Sequence, residues 1–312
     1  MKKLLILLTL GIPLLAATPF GDPYRNTEER ISREELAPHE LWDRASGAFE
    51  EERWPHALAY MRRIAIEYPD SPFAPEALFY TGVAYYRMRE FTLANRMFSK
   101  CLEQGVPKHL QEAFQYKFAI AEQHRTGCRR HMWGRSHGPM WKSGKEDALE
   151  IYDEIIVSLP SHELAALSLY SKGHLQWMMR DYEDAVETFT QLINRFPKHR
   201  YVPESYVAIA RLYERQAEIN PQNPDLLALA QVNVRKFRAA MPTDDRLMEA
   251  ELRVELTREV LAKGLYDTGR YYERKKKPAA AAVYYQTAMR DYPDTPSAFA
   301  SSERLSAIGY AS

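Results

Sequence analysis

Six of the alanines spaced along this chain that are followed four residues later by a bulkier apolar residue form a recurring set. In five of the six, a proline stands twelve residues after the alanine. The sets are Ala57/Met61/Pro69, Ala148/Tyr152/Pro160, Ala185/Phe189/Pro197, Ala230/Val234/Pro242 and Ala281/Tyr285/Pro293; in the sixth, Ala94/Phe98, the proline comes one residue late, at Pro107. With 19 prolines in 312 residues, chance places fewer than one at that offset in six sets. Residues four apart share one face of a helix, so the pattern describes a helix with a small residue at a close crossing and a large one filling the groove beside it. A proline cannot continue that helix and pushes the residue before it out of the helical region. Each set therefore reads as the second helix of a helix–turn–helix unit.

The first helices follow from the same register. Leu41, Ala45 and Phe49 mark the first, Leu78, Gly82 and Tyr85 the second, and Phe114, Phe118 and Ala121 the third. Leu169 and Gly173 mark the fourth, and Leu265, Gly269 and Tyr272 lie on a long helix over 244–274. The second helix of the third unit arrives about eighteen residues late, at Lys145–Ser158, behind an inserted loop over 123–144. A shorter insertion, Asn220-Pro221-Gln222-Asn223-Pro224, interrupts the fifth unit. Units of this length and pattern resemble tetratricopeptide repeats. The expected fold is all-α: about six repeats in a right-handed superhelical solenoid over 38–312, closed by a C-terminal capping helix near 297–308. No stretch alternates with period two between hairpin turns, so the chain is expected to be almost wholly helical.

The N-terminus reads as an export signal over 1–17, with Lys2 and Lys3 before an apolar stretch from Leu4 to Ala17. Fourteen apolar-region residues are short for a membrane span. No cysteine for lipid attachment follows, and 18–37 reads as a polar linker. The expectation from this signal is export to the periplasm. Basic and acidic residues balance at 42 each, so no global field favours nucleic acid as a partner. No nucleophile elbow, zinc-protease, phosphate-loop or dinucleotide motif occurs, and neither an enzyme nor a cofactor is expected.

The last full repeat carries a more specific pattern. Leu265-Tyr266-Asp267-Thr268-Gly269-Arg270-Tyr271-Tyr272-Glu273-Arg274 is followed by Ala279-Ala280-Ala281-Ala282 and by Asp291-Tyr292-Pro293-Asp294-Thr295-Pro296. The first repeat closes with a similar Glu67-Tyr68-Pro69-Asp70-Ser71-Pro72. This resembles the BamD family of outer-membrane assembly factors, over roughly residues 35–305. The resemblance implies a non-enzymatic scaffold at the inner face of the outer membrane that binds a BamA-like insertase through its C-terminal repeats and presents its N-terminal groove to unfolded outer-membrane proteins. It also implies docking by basic residues on the long helix, which brings in Arg258, Arg270 and Arg274. A periplasmic adaptor for division or peptidoglycan machinery, similar to CpoB, is the alternative on the same scaffold.

The inserted loop is unlike the rest of the chain. From Gln123 to Lys145 it holds six arginines and lysines and no acidic residue, interleaved with Trp133 and Trp141. Arg129, Arg130, Trp133, Arg135 and Trp141 suit a partner contact, since arginine and tryptophan dominate interface hot spots. The same residues suit a peripheral contact with anionic lipid headgroups. His124, Cys128, His131 and His137 are ligand types for zinc, at a spacing that matches no established motif. A loop folded back on the repeats, with its tryptophans as local core, is the plainest reading. Cys101 falls at a core position of the second repeat.

Overall fold

The computed structural model describes Ile31 and residues 35–105, 107–127, 129–131 and 140–310; at 107, 129–131 and 140–143 the description is of the backbone. The expected export signal and nearly all of the linker lie outside these residues. Thirteen α-helices occur among the described residues, paired as the sequence register requires. The pairs are α1 (Pro38–Glu50) with α2 (Trp54–Glu67), α3 (Ala74–Arg87) with α4 (Phe91–Glu103), and α5 (Leu110–Arg125) with α6 (Lys145–Ser158). They continue with α7 (Glu163–Met179) and α8 (Tyr182–Arg195), α9 (Val202–Ile219) and α10 (Asp225–Ala240), then α11 (Arg246–Arg274) and α12 (Pro278–Asp291). α13 (Pro296–Ala307) follows the sixth pair as the expected closing helix. The chain divides into two compact units, Met1–Ser168 and Leu169–Ser312. None of the described helices is long and apolar enough to cross a membrane.

Each feature of the repeat has a local cause. All six repeat alanines are fully buried, and so are Met61, Phe98, Tyr152, Phe189 and Tyr285 four residues on; Val234 is nearly so. Burying each such side chain contributes about 1.5–3 kcal/mol. The close crossing also needs a small residue on the first helix. A Cβ on Gly82 would lie 2.8 Å from the Phe98 ring, and one on Gly173 2.8 Å from the Phe189 ring. On Gly269 it would lie 2.5 Å from the Tyr285 ring. The residues before the five in-register prolines leave the helix in nearly one conformation. Tyr68, Leu159, Phe196, Met241 and Tyr292 have φ of −127°, −126°, −129°, −144° and −136° with ψ between 52° and 70°. All five have left the helical region, which a following proline disfavours. After α4, where the proline is late, Gln104 stays near-helical at φ −76° and ψ −8°, and the turn is made by Gly105 at φ 65°.

The turn inside each uninterrupted repeat is equally regular. Glu52, Arg89, Arg180 and Lys276 have φ of 53°, 63°, 71° and 56°, and each lies five residues before its repeat alanine. The next residue's N–H bonds back five positions in every case: Arg53 to Ala48, Glu90 to Tyr85, Asp181 to Gln176 and Lys277 to Tyr272, at 2.8–3.1 Å. This is a Schellman closure built on a left-handed residue that is not glycine. The basic run Arg274-Lys275-Lys276-Lys277 is thus a solvent-exposed turn, with the Lys275 ammonium 5.7 Å from the centre of the Tyr271 ring.

The described residues are almost wholly helical, as expected, with one short exception, and the start of the insertion needs correction. Strands do occur: β1 (Arg129–His131) and β2 (Met140–Ser143) form an antiparallel ribbon inside the insertion, pairing Arg129 with Ser143, Arg130 with Lys142 and His131 with Met140. The insertion is also shorter than expected at its start, since α5 continues to Arg125. Arg125 pairs with Glu122 one turn back at 2.6 Å, and a cation in the last turn complements the helix dipole.

Candidate partner-binding surface

The second unit holds an open groove of about 660 Å³ between α10 and α11. Val234 and Val254 form its floor and are buried. Met248 and Leu252, one turn apart on α11, stand in its wall at 75% and 53% exposure. Leu256 extends the same stripe by another turn. Bare apolar side chains of this size on one helical face mark a surface that a partner can cover. Charges ring the groove. Arg238 pairs with Glu251 at 2.7 Å and Arg258 with Glu255 at 2.9 Å. Arg235 is exposed and has no carboxylate partner among the described residues. The first turns of α11 are held by a separate set of ions. Arg211 on α9 holds the Glu249 carboxyl below the usual carboxylate range, and the two meet at 2.6 Å. Arg246 does the same to Asp244 at 2.8 Å. The groove wall is therefore fixed by α9.

Of the arginines on the long helix, Arg258 alone lies on this groove. Arg270 belongs to a different cluster. It donates to the Tyr266 hydroxyl at 3.0 Å and lies beside Glu273, whose carboxyl also receives the Tyr285 hydroxyl at 2.9 Å and the Arg304 guanidinium of α13. Arg304 holds Glu273 below the usual carboxylate range, and burial raises Tyr285 to about 12. Arg270 thus sits in the lock that fastens the closing helix. Arg274 is exposed at the end of α11.

The inserted loop offers less. The backbones of Arg129, Arg130 and Trp141 lie in the ribbon, while Trp133 and Arg135 lie outside the described residues. Of the four conceivable zinc ligands, His124 is buried at the end of α5 with its ring edge-on to Phe91. Cys128 and His137 lie outside the described residues. Among those described, no group of three or more metal-ligating side chains converges. Cys101 is buried, and burial raises its thiol pKa, as a core position requires.

Two features escape a reading by periodicity. Lys117 of α5 is fully buried, with its ammonium 2.6 Å from the Ser99 hydroxyl of α4 and 2.8 Å from the Glu154 carboxylate of α6. Burial lowers its pKa, against the opposing pull of Glu154. The second feature is a pairing between helices. Tyr285 is matched by Glu273 twelve residues earlier, and Tyr152 by Glu122 across the insertion, at 2.5 Å. Where the second helix carries Met61, Phe98 or Phe189 instead, the residue twelve earlier is Phe49, Tyr86 or Trp177. A buried phenol needs an acceptor, and a buried phenyl or thioether does not.

Comparison with known proteins bears on the repeats. Models of the tetratricopeptide repeat match residues 43–95, 167–199 and 263–295. No curated protein matches the sequence. Among solved structures, the chain is similar to a tetratricopeptide repeat protein from Parabacteroides merdae, at 14% identity and a TM-score of 0.37 over 87% of this chain and 98% of that one. The C-terminal part of a repeat protein from Cytophaga hutchinsonii matches at 12% identity and 0.40, over 89% and 94%. The apo form of RapI matches at 12% and 0.40, over 93% and 82%. The matched segments fall on the first, second, fourth and sixth helical hairpins, so the chain carries tetratricopeptide repeats, which indicate a scaffold for contacts between proteins.

Proposed function

We propose that this scaffold serves outer-membrane protein assembly, in the manner of the BamD family. It is exported to the periplasm, binds a BamA-like insertase through its C-terminal repeats, and engages unfolded outer-membrane proteins through its N-terminal repeats. The observation that carries this reading is the C-terminal signature. Its three segments, 265–274, 279–282 and 291–296, fall on one helical hairpin and its closing turn. That hairpin leaves Tyr271, Arg274 and Lys275–Lys277 exposed, a basic and aromatic surface of the kind that anchors protein contacts. The role is one of binding, and no catalytic step is assigned to it.

Cross-linking the tagged protein in its own cells, with mass spectrometry of what it captures, tests this. Recovery of an insertase with cross-links at residues 258–277 is the expected result. Recovery of division or peptidoglycan proteins, without an insertase, would reassign the scaffold to the CpoB-like alternative.

A further inference from the structure

We infer that the α10–α11 groove is the interface of a two-fold dimer, with a second copy of this chain as its occupant. The groove and the object that fits it are on the same molecule. Its wall is the first half of α11, a helix whose Met248, Leu252 and Leu256 recur every fourth residue and stand in solvent. Laid antiparallel into the groove of another copy, that stripe covers Val234 and Val254, and the same contact forms in reverse. A surface that is both knob and hole closes on itself through a two-fold axis, the commonest symmetry of soluble oligomers.

The charges select the antiparallel arrangement. Along α11 the stripe runs from Met248 and Glu251 at one end to Glu255 and Arg258 at the other. Antiparallel pairing sets Arg258 of each copy toward Glu251 of the other. Parallel pairing would set Arg258 against Arg258 and Glu251 against Glu251. Arg235, which has no carboxylate partner among the described residues, is set toward the acidic edge of the other copy's α11. The exposed half of α11, residues 246–258, is about 20 Å long. Two helices of that length bury less than the roughly 1,200–2,000 Å² of a standard specific interface. The dimer is therefore weak, reversible and sensitive to salt. It stands independently of the assembly role, which rests on the last hairpin.

Sedimentation velocity of the full chain across a concentration series tests it. The expected result is a reversible monomer–dimer equilibrium that shifts toward monomer as salt rises. Leu252→Glu should weaken the dimer at least about tenfold, the effect of losing one central contact. Leu252 is half in solvent, so the circular dichroism of that variant should match the parent. Arg258→Glu and Glu251→Arg should each weaken the dimer, and their combination should restore it. A chain that stays monomeric at every concentration, or a dimer indifferent to Leu252→Glu, would overturn the inference. So would failure of the charge swap to recover any of the loss, which would exclude the antiparallel contact.

Discussion

The buried tyrosines show what a single hydroxyl demands of its neighbours. Tyr285 and Tyr152 each bury a phenol, and each meets a glutamate on the first helix of its own hairpin. Phe98 occupies the equivalent position in the second repeat, stacks on Tyr116 at 5.0 Å, and has Tyr86 rather than a carboxylate twelve residues before it. Phe98→Tyr should therefore destabilise by about 1–3 kcal/mol, the cost of a buried hydroxyl without a matched acceptor. Tyr285→Phe should cost no more than about 1 kcal/mol, because Glu273 keeps Arg304. Paired thermal melts of the two variants check the asymmetry. At this scale the alanines, their apolar partners and the glycines opposite the rings were legible from spacing. Glu273 stands twelve residues before its tyrosine and Glu122 thirty before its own, across the insertion, but a glutamate on a helix ordinarily reads as solvent-facing. Lys117 gave no signal, because only the convergence of Ser99 and Glu154 from two other helices makes a buried ammonium tolerable.

Helices begin and end here for reasons written in short stretches of sequence. Proline stands in the first two positions of α1, α2, α3, α9, α12 and α13, where its missing N–H costs nothing. Thr295 caps α13 by accepting from the Ala298 N–H at 3.2 Å. The turns at Glu52, Arg89, Arg180 and Lys276 are the exception, since left-handed backbone there is held by residues that carry a Cβ. Replacing any of the four with glycine should stabilise the protein by about 0.5–1 kcal/mol, once the greater freedom of the unfolded chain is subtracted. Chemical denaturation midpoints of the four single variants check this, and their gains should be similar because their geometry is. The turns were not legible as left-handed, because glutamate, arginine and lysine carry no turn signature. The ribbon was missed for a related reason: two arginines and a histidine pair through their backbones, which periodicity does not report. The groove was half legible. Met248, Leu252 and Leu256 form an apolar stripe in the sequence, but only the structure leaves it uncovered.

The whole chain comprises two compact units, and its polar locks are divided between them. Lys117–Glu154 ties the first unit, and Glu273–Arg304 ties the closing helix of the second. Calorimetry should show a measured enthalpy larger than the van't Hoff value, the mark of more than one cooperative step. Glu154→Gln should shift the transition of the first unit alone. Its cost is about 2 kcal/mol, below that of a pair buried on both sides, because Glu154 stays partly in water. Glu273→Gln should shift the second alone, and its effect should depend on pH. Arg304 holds the Glu273 carboxyl below its ordinary value, so the stabilisation is fully present above about pH 4.3. It is lost as the pH falls through the lower native value, and parent and variant should converge there. The match between tyrosine and glutamate also governs how such a chain can be recombined. A crossover in the left-handed turn would unite a first helix with a foreign second one and leave a phenol facing an aromatic ring. A crossover at the pre-proline exits, where five caps share one backbone conformation, would carry lock and key together. The breakpoints open to gene shuffling are those exits, and the smallest heritable block is the intact hairpin.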